Sequence, residues 1–258
     1  MSIRSSGPRR GAVALALLSS AAAHAESPRA AAWGLGLAVA PESRPYRDIE
    51  QRPTALPLLM FENRRVRVLG PTLDLKLGSP QGPATGQPAA ALRVRLGNEG
   101  YESKDSPSLA GMAERKAGVW LGGSAAWRLG AVTITGEVLA DASSHSQGVR
   151  ASLGLERAFP VGGRIEVTPR LVIHRLDRQV VDYYFGVRPE EALATRPRYR
   201  GEAATNVEAG LRVGTAIAPH QRLSLDVSST RWGSSIRQSP LIDGARQHSV
   251  RLTFLQLF

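Results

Sequence analysis

The chain has 258 residues, no cysteine, and 33 Lys and Arg against 22 Asp and Glu, which gives a formal net charge of +11. This length is sufficient for one large domain or two small ones, and the lack of cysteine excludes a disulfide-stapled miniprotein and a thiolate metal site. With 42% hydrophobic and 21% charged residues, the composition also excludes a disordered tail. The basic balance by itself is compatible with binding to nucleic acid or to anionic lipid.

Residues 1–25 have the three-part pattern of a secretory signal peptide. A basic start without acids (1–10) precedes a short apolar run (11–23) and the A-x-A cleavage motif Ala23-His24-Ala25. The apolar run is shorter than the roughly 20 residues of a membrane-spanning helix. We therefore expect cleavage on export, with a mature chain that begins near Glu26. Cleavage removes three arginines, and export excludes a nucleic-acid partner in the cytosol.

The mature chain alternates apolar and polar residues with a period of two, which is typical of β-strands with one apolar face. Leu73, Leu75 and Leu77, for example, alternate with Asp74 and Lys76. The same alternation recurs over 92–96, 132–138, 149–156, 164–174, 207–214, 223–228 and 249–254. Helical periodicity is nearly absent, so the sequence predicts an all-β chain.

Two all-β architectures fit this pattern, a soluble sandwich or barrel and a transmembrane antiparallel β-barrel, because the apolar face points inward in the first and outward in the second. The length of the segments favours the membrane barrel, since a tilted strand needs about 9–11 residues to cross a bilayer. The long segments are 117–128, 131–141, 147–157, 163–174, 204–217, 221–232 and 246–258. The long connections 98–116, 175–203 and 233–245 all fall at one end of the strands, and we expect none at the other, as in outer-membrane barrels.

Successive connections alternate between the two ends of a barrel, and this alternation predicts the number of strands. An even number of strands must separate the two outer loops 42–53 and 98–116, which requires a break in the segment 65–79. Gly70-Pro71 is the natural position, because proline cannot donate to a strand ladder and Gly-Pro favours a turn. This predicts twelve strands, with ten and a non-spanning hairpin as the fallback. Aromatic residues near the segment ends predict interfacial girdles: Trp33, Phe61, Trp120, Trp127, Trp232 and Phe258.

Several motifs in the predicted outer loops resemble those of the MltA-interacting protein (MipA/OmpV) family of Gram-negative outer membranes. The matching residues are Pro45-Tyr46, Asp105-Ser106-Pro107, Leu109, Gly111-Met112, Arg115, Asp182-Tyr183-Tyr184-Phe185-Gly186-Val187, Glu190-Glu191-Ala192, Tyr199 and Ser239-Pro240-Leu241-Ile242-Asp243. They occur in the family's order across the mature chain. Two departures are Arg47, where a glycine is expected, and Gln256, where an aromatic residue is expected.

The resemblance implies a non-enzymatic, monomeric β-barrel in the outer membrane, in contact with lipid and lipopolysaccharide. It further implies a scaffold that links a lytic transglycosylase to a penicillin-binding protein in murein (peptidoglycan) assembly. Other members of the family are porin-like or adhesive. A small anion-preferring channel and a surface adhesin are therefore the alternative functions.

The residues give little support for catalysis. Asp141, Ser143, Ser144 and His145 crowd one short connection, and some barrels are hydrolases that use serine, histidine and an acid. Neighbours on one turn rarely reach the geometry that a nucleophile and its base need, and Ser and Asp are common turn formers. Metal-ligand spacing is absent, and no helix follows Gly34 and Gly36 to form a nucleotide site. We expect no catalytic, cofactor or metal site.

Charged residues on the polar faces of the strands predict the character of the lumen. Arginines 93, 95, 150, 170 and 212 lie on the same faces as the acids 74, 137, 156, 166, 208 and 226. Arginine and carboxylate groups that face each other form strong bidentate pairs. We expect a plugged, ion-paired interior, with an open pore as the alternative, and its arginines would favour anions.

Overall fold

The computed structural model describes residues 31–41, 45–49, 53–78 and 86–258. The predicted signal peptide, 1–25, lies outside these residues. The strands are β1 (Ala32–Pro41), β2 (Pro53–Glu62), β3 (Val66–Leu69), β4 (Thr72–Leu77), β5 (Pro88–Leu96), β6 (Val119–Leu129), β7 (Val132–Asp141), β8 (Val149–Arg157), β9 (Phe159–Val161), β10 (Ile165–Leu176), β11 (Ala204–Ala218), β12 (Gln221–Arg231) and β13 (Arg246–Leu257). Two helices, α1 (Arg178–Phe185) and α2 (Ser234–Arg237), lie in connections.

The strands form one closed antiparallel barrel. Successive strands pair with each other, and β13 pairs with β1, with Leu257 opposite Gly34 and Leu252 opposite Val39. Strands β8 and β9 both pair with β10 and are interrupted only at Ala158, so they act as one broken strand. The thirteen segments therefore make a twelve-stranded barrel. This confirms the predicted fold.

The break at Gly70-Pro71 is where the sequence predicts it. Gly70 has a φ of +52°, a left-handed conformation that favours glycine, and its N–H donates to the carbonyl of Leu59 at 2.9 Å. Leu69 pairs with Thr72 across this turn. Strands β3 and β4, with 4 and 6 residues, therefore form a hairpin that is shorter than the neighbouring strands.

The connections divide the barrel into a loop end and a turn end. The loop end carries 42–52, 97–118, 142–148, 177–203 and 232–245, and the turn end carries 63–65, 130–131, 162–164 and 219–220. The expectation that long connections occur at one end only is wrong for 78–87, which joins β4 to β5 at the turn end. The turn at Gly70-Pro71, which joins β3 to β4, takes the place of one loop-end connection. The next connection, from β4 to β5, must therefore lie at the turn end.

The outer face of the barrel is apolar and exposed, as a lipid-facing surface requires. Representative outward side chains are Leu35, Leu37, Leu92, Leu121, Leu153, Leu171, Leu211 and Leu252. Trp33 stacks on Phe258 at the turn end, with their ring centroids 4.2 Å apart. Within the described residues, neither helix is long and apolar enough to span a membrane.

The predicted girdle position of Trp120 is wrong. Its side chain faces the interior and is completely buried, because Trp120 pairs with Asp141 and Arg95 on the polar faces of β7 and β5. The indole N–H donates to a carboxylate oxygen of Glu99, and the Arg150 guanidinium lies 4.1 Å from the ring centroid. Trp232, also predicted in a girdle, is partly buried against the hydrophobic cluster of the loop end.

Candidate functional site

Four connections at the loop end fold together into one hydrophobic cluster, which we call the cap. Its buried side chains from the connections are Tyr46, Tyr101, Leu109, Met112, Val180, Val181, Tyr184, Phe185, Val187, Ile236, Leu241 and Ile242. Trp120 and Leu139, which point inward from β6 and β7, belong to the same cluster. The cap therefore rests on side chains of the barrel interior and covers the mouth of the barrel at this end.

A buried ion pair joins two of these connections. The side chains of Arg115 and Glu191 are 1% and 3% exposed, and Nη2 of Arg115 donates to both carboxylate oxygens of Glu191, at 2.9 and 2.8 Å. The other guanidinium nitrogens donate to the carbonyls of Tyr183 (2.7 Å) and Ala113 (2.8 Å). The same carboxylate accepts from the backbone N–H groups of Ala113 (3.1 Å) and Arg188 (2.9 Å). Both charges are thus fully partnered, which a buried pair requires.

The electrostatics of the cap follow from this arrangement. Burial raises the pKa of the Glu191 carboxyl, but the backbone N–H groups of Arg188 and Ala113 and the Arg115 guanidinium lower it further, so its pKa lies below the ordinary value. Burial raises the pKa of the Tyr101 hydroxyl to about 12. At neutral pH the cap therefore holds an ionised Glu191 beside a neutral Tyr101.

Further hydrogen bonds tie the connections to each other. Arg196 donates to the carbonyls of Ser108 (2.7 Å) and Ala110 (3.0 Å) in the connection 97–118. The Ser239 hydroxyl donates to the carbonyl of Phe185 at 2.6 Å, and the Tyr46 hydroxyl donates to the carbonyl of Tyr184 at 3.2 Å. Most of the motifs that resemble the MipA/OmpV family lie in this network, so their structural role is to hold the cap together.

Below the cap, a network of ion pairs runs along the lumen face of the barrel wall from β4 to β7. Arg93 contacts Asp74 through Nε (2.6 Å) and Glu137 through Nη1 (2.7 Å). Arg95 contacts the other oxygen of Glu137 at 2.7 Å. All four side chains are largely withdrawn from solvent, with Asp74 and Glu137 at 7% and 11% exposure.

A second network lies on the adjoining stretch of wall, from β8 to β12. Arg170 donates to Glu208 through Nη2 (2.9 Å) and to Asp226 through Nη2 (2.8 Å). Arg212 lies 3.4 Å from Asp226 and 3.8 Å from Glu156. The predicted pairing of inward arginines with inward carboxylates is confirmed for these residues. Of the five lumen arginines, 93, 95, 170 and 212 are therefore engaged with carboxylates of the wall, whereas Arg150 lies 3.3 Å from Glu99 of the connection 97–118.

The residues considered for catalysis form a turn. Asp141 accepts hydrogen bonds from the backbone N–H groups of Ser143 (2.8 Å), Ser146 (2.6 Å) and Gln147 (3.0 Å). The Ser143 hydroxyl also donates to Asp141, whereas Nδ1 of His145 lies 3.0 Å from the carbonyl of Ala117. No hydrogen bond between His145 and a serine occurs among the described residues, so the acid closes the turn rather than orienting a histidine base.

The two glycines considered for a nucleotide site lie in β1 on the inward face. A Cβ at Gly34 would lie 2.6 Å from the carbonyl oxygen of Gln256, and one at Gly36 would lie 2.3 Å from that of Phe254. Glycine is therefore needed there for the close approach of β1 and β13, which closes the barrel. Over the described ranges, no cluster of three or more His, Cys, Asp or Glu side chains has a geometry that would hold a metal ion.

Residues 34–255 match the sequence profile of a family described as MltA-interacting protein MipA. The chain belongs to this family. It is 27% identical over 153 residues to outer membrane protein Omp26La of Vibrio anguillarum, and 28% identical over 153 residues to outer membrane protein OmpV of Vibrio cholerae. Each alignment covers 59% of this chain and 59% of the relative, so the chain spans about three fifths of these two proteins. The outer membrane protein YiaT of Escherichia coli K12 is 24% identical over 226 residues, 84% of this chain and 87% of YiaT.

Solved structures similar to this MipA-family chain include an outer membrane channel from Pseudomonas putida F1, with a TM-score of 0.45 and 10% identity over 90% of this chain and 97% of that one. An anion-selective porin from Comamonas acidovorans has a TM-score of 0.34 and 8% identity over 89% of this chain and 99% of that one. The family match, the named relatives and the closed apolar-faced barrel identify this member of the MipA family as an outer-membrane β-barrel protein.

Proposed function

We propose that this protein is a monomeric, non-conducting anchor that holds murein-synthesising and murein-hydrolysing enzymes at the periplasmic surface of the outer membrane. The observation that carries the proposal is the cap, which covers the mouth of a lumen whose wall carries arginines paired with carboxylates. A pore for passive diffusion needs a continuous aqueous path instead. The family description, MltA-interacting protein, supports a lytic transglycosylase as one partner. The proposal includes export by a signal peptide over residues 1–25 and no catalytic activity.

The turn end supplies a surface for such partners, because short turns face the periplasm in outer-membrane barrels. Its rim carries exposed arginines that form no ion pair with the described residues: Arg64, Arg65, Arg128, Arg157 and Arg164. An exposed basic rim steers and orients partners that present an acidic surface. The rim and the cap thus assign different tasks to the two ends of the barrel, with contact on the periplasmic side and closure on the outer side.

Site-specific photo-cross-linking in living cells tests the proposal. A photoreactive amino acid placed at Arg64 or Arg164 is expected to cross-link to a lytic transglycosylase or a penicillin-binding protein. The matched positions Arg198 and Arg237, exposed at the loop end, are expected to give no such adduct. Adducts with murein enzymes from neither turn-end position, in a cell that expresses them, would contradict the scaffold function.

A further inference from the structure

The short hairpin β3–β4 leaves part of β2 without a partner strand. Strand β2 pairs with β1 from Pro53 to Glu62, but it pairs with β3 only from Met60 to Glu62. On the side of β2 that faces β3, Leu59 accepts the hydrogen bond from Gly70, and no described strand pairs with 53–58 there. Six residues at about 3.3 Å each correspond to about 20 Å of open edge. We call the opening between this edge and β5, above Gly70-Pro71, the lateral gap.

The lateral gap lies within the apolar band of the outer face. On one side, Ala55 pairs with Val39, whose outward side chain is 38% exposed. On the other side, β5 ends at Leu96, whose outward side chain is 55% exposed. The gap therefore opens in the half of the hydrocarbon layer next to the loop end. Unpaired backbone groups cost several kcal/mol each where a sheet edge faces lipid.

The sequence of β2 removes part of this cost. The carbonyl of Leu59 points towards β3, since it accepts from Gly70, and the backbone groups of alternate residues point to the same side of a strand. Pro53 and Pro57 therefore stand at positions whose N–H groups would face the gap, and proline has no N–H. Between them only Ala55 keeps such a donor. The edge is built to remain open and is a poor template for an added strand.

Two of the three side chains that β2 directs into the lumen along the gap are leucines, and the third is a threonine. Directly paired residues lie on the same face of a sheet. Leu56 pairs with Ala38, and Ala38 pairs with the lumen-facing Thr253, so Leu56 also lies on the lumen face. Leu56 is nevertheless 52% exposed, as much as the lipid-facing leucines. Leu58 lies on the same face next to the turn, with its Cδ2 3.1 Å from the place a Cβ would occupy at Gly70.

We propose that the lateral gap admits a hydrocarbon chain of an outer-leaflet lipid, which lies against Leu56 and Leu58. Two observations specify this occupant. The gap is continuous with the lipid-facing surface on both flanks, and Leu56 and Leu58 form an apolar strip on the lumen face of β2 beside it. Burial of apolar surface at about 25 cal/mol per Å² favours a chain in this position over water. Omitting two donors at the edge also suits a ligand that cannot form hydrogen bonds.

Spin labels test the proposal, and the absence of cysteine from the chain makes each label unique. Leu56→Cys is labelled in bilayer vesicles, and its collision rates with oxygen and with a water-soluble nickel chelate are compared. Leu37→Cys, on the lipid-facing surface, and Ser224→Cys, on the inward face of β12, are the controls. We expect Leu56 to match Leu37, with high oxygen and low nickel access. High nickel access, or low access to both reagents as in a covered site, would overturn the proposal.

A second measurement uses the unmodified chain and does not depend on a variant that folds. Vesicles contain a phospholipid with a photoreactive diazirine in its acyl chain, and the adducts are mapped by mass spectrometry. We expect adducts on Leu56 or Leu58, which face inward, in addition to adducts on outward residues such as Leu37. Adducts confined to outward residues would show that no chain enters the gap.

Discussion

The buried pair Arg115–Glu191 gives the sharpest prediction about the cap. Glu191→Gln retains the volume of the side chain but removes its negative charge. The guanidinium of Arg115, whose side chain is 1% exposed, then has no ionic partner. Breaking a buried ion pair by removing one partner costs about 3–5 kcal/mol. Since about 1.4 kcal/mol corresponds to a factor of ten in an equilibrium constant, the open form of the cap should become roughly a hundredfold to several thousandfold more populated.

Hydrogen–deuterium exchange in nanodiscs measures this opening. The amides of Val187 and Tyr199, which donate to each other's carbonyls at 2.8 and 3.1 Å, report on the cap, and amides of the β11–β12 ladder report on the barrel. We expect the cap amides to exchange roughly a hundredfold faster or more and the barrel amides to be unchanged. Glu190→Gln, at the exposed neighbouring carboxylate, is the control. Cap exchange within about threefold of the wild type in Glu191→Gln would refute the assigned role of the pair.

Three further predictions concern pH, barrel closure and the lumen. Because the folded pKa of Glu191 is lowered, its stabilisation of the cap is present above its ordinary pKa of about 4.3 and is lost as the pH falls through the folded value. The protection factors of the wild-type cap amides, which correct for the pH dependence of intrinsic exchange, should therefore fall in acid, while those of Glu191→Gln should not change. Gly36→Ala should destabilise the folded barrel by about 1–3 kcal/mol, which a heat-modifiability gel measures as loss of the folded band. Gly123→Ala, with open space at the Cβ, should destabilise it by less than about 0.5 kcal/mol. Arg170→Met should lower the stability of the barrel by about 3 kcal/mol, because it leaves two carboxylates without their partner. Thermal unfolding measures this loss and should show none for Arg175→Met, at an exposed position.

Each of these has a contrary outcome. Equal acid sensitivity of wild type and Glu191→Gln would assign the titration to another group. Similar behaviour of Gly36→Ala and Gly123→Ala would show that β1 and β13 have room for a side chain. An Arg170→Met barrel as stable as the wild type would mean that the lumen is hydrated enough to solvate the carboxylates that Arg170 contacts.

The sequence predicts the barrel well because its information is local. Period-two alternation marks the strands, Gly70-Pro71 marks the one early turn, and the inward arginines and acids identify the lumen face. Trp120 shows where this fails. It lies between Val119 and Leu121, so three consecutive apolar residues give no alternation from which to assign the faces.

The cap and the lateral gap were not predictable in this way, because both arise from distant residues. Arg115 and Glu191 are 76 positions apart and only the folded connections bring them together. The gap depends on which residues of β2 pair with β3, a register that local composition does not determine. The prolines Pro53 and Pro57 are the one sequence signal for it, since prolines inside a strand indicate an edge.

Single-channel recording in planar bilayers tests most directly whether this barrel is a closed anchor. With the refolded protein inserted at known density, the account predicts no conductance steps above the bilayer background at neutral pH, because the cap covers the mouth and the arginines of the lumen wall are paired with carboxylates. Deletion of cap residues 104–114 provides a positive comparison for loss of closure. Stable, uniform steps from the intact chain, with a preference for anions, would contradict the account and establish the protein as a channel.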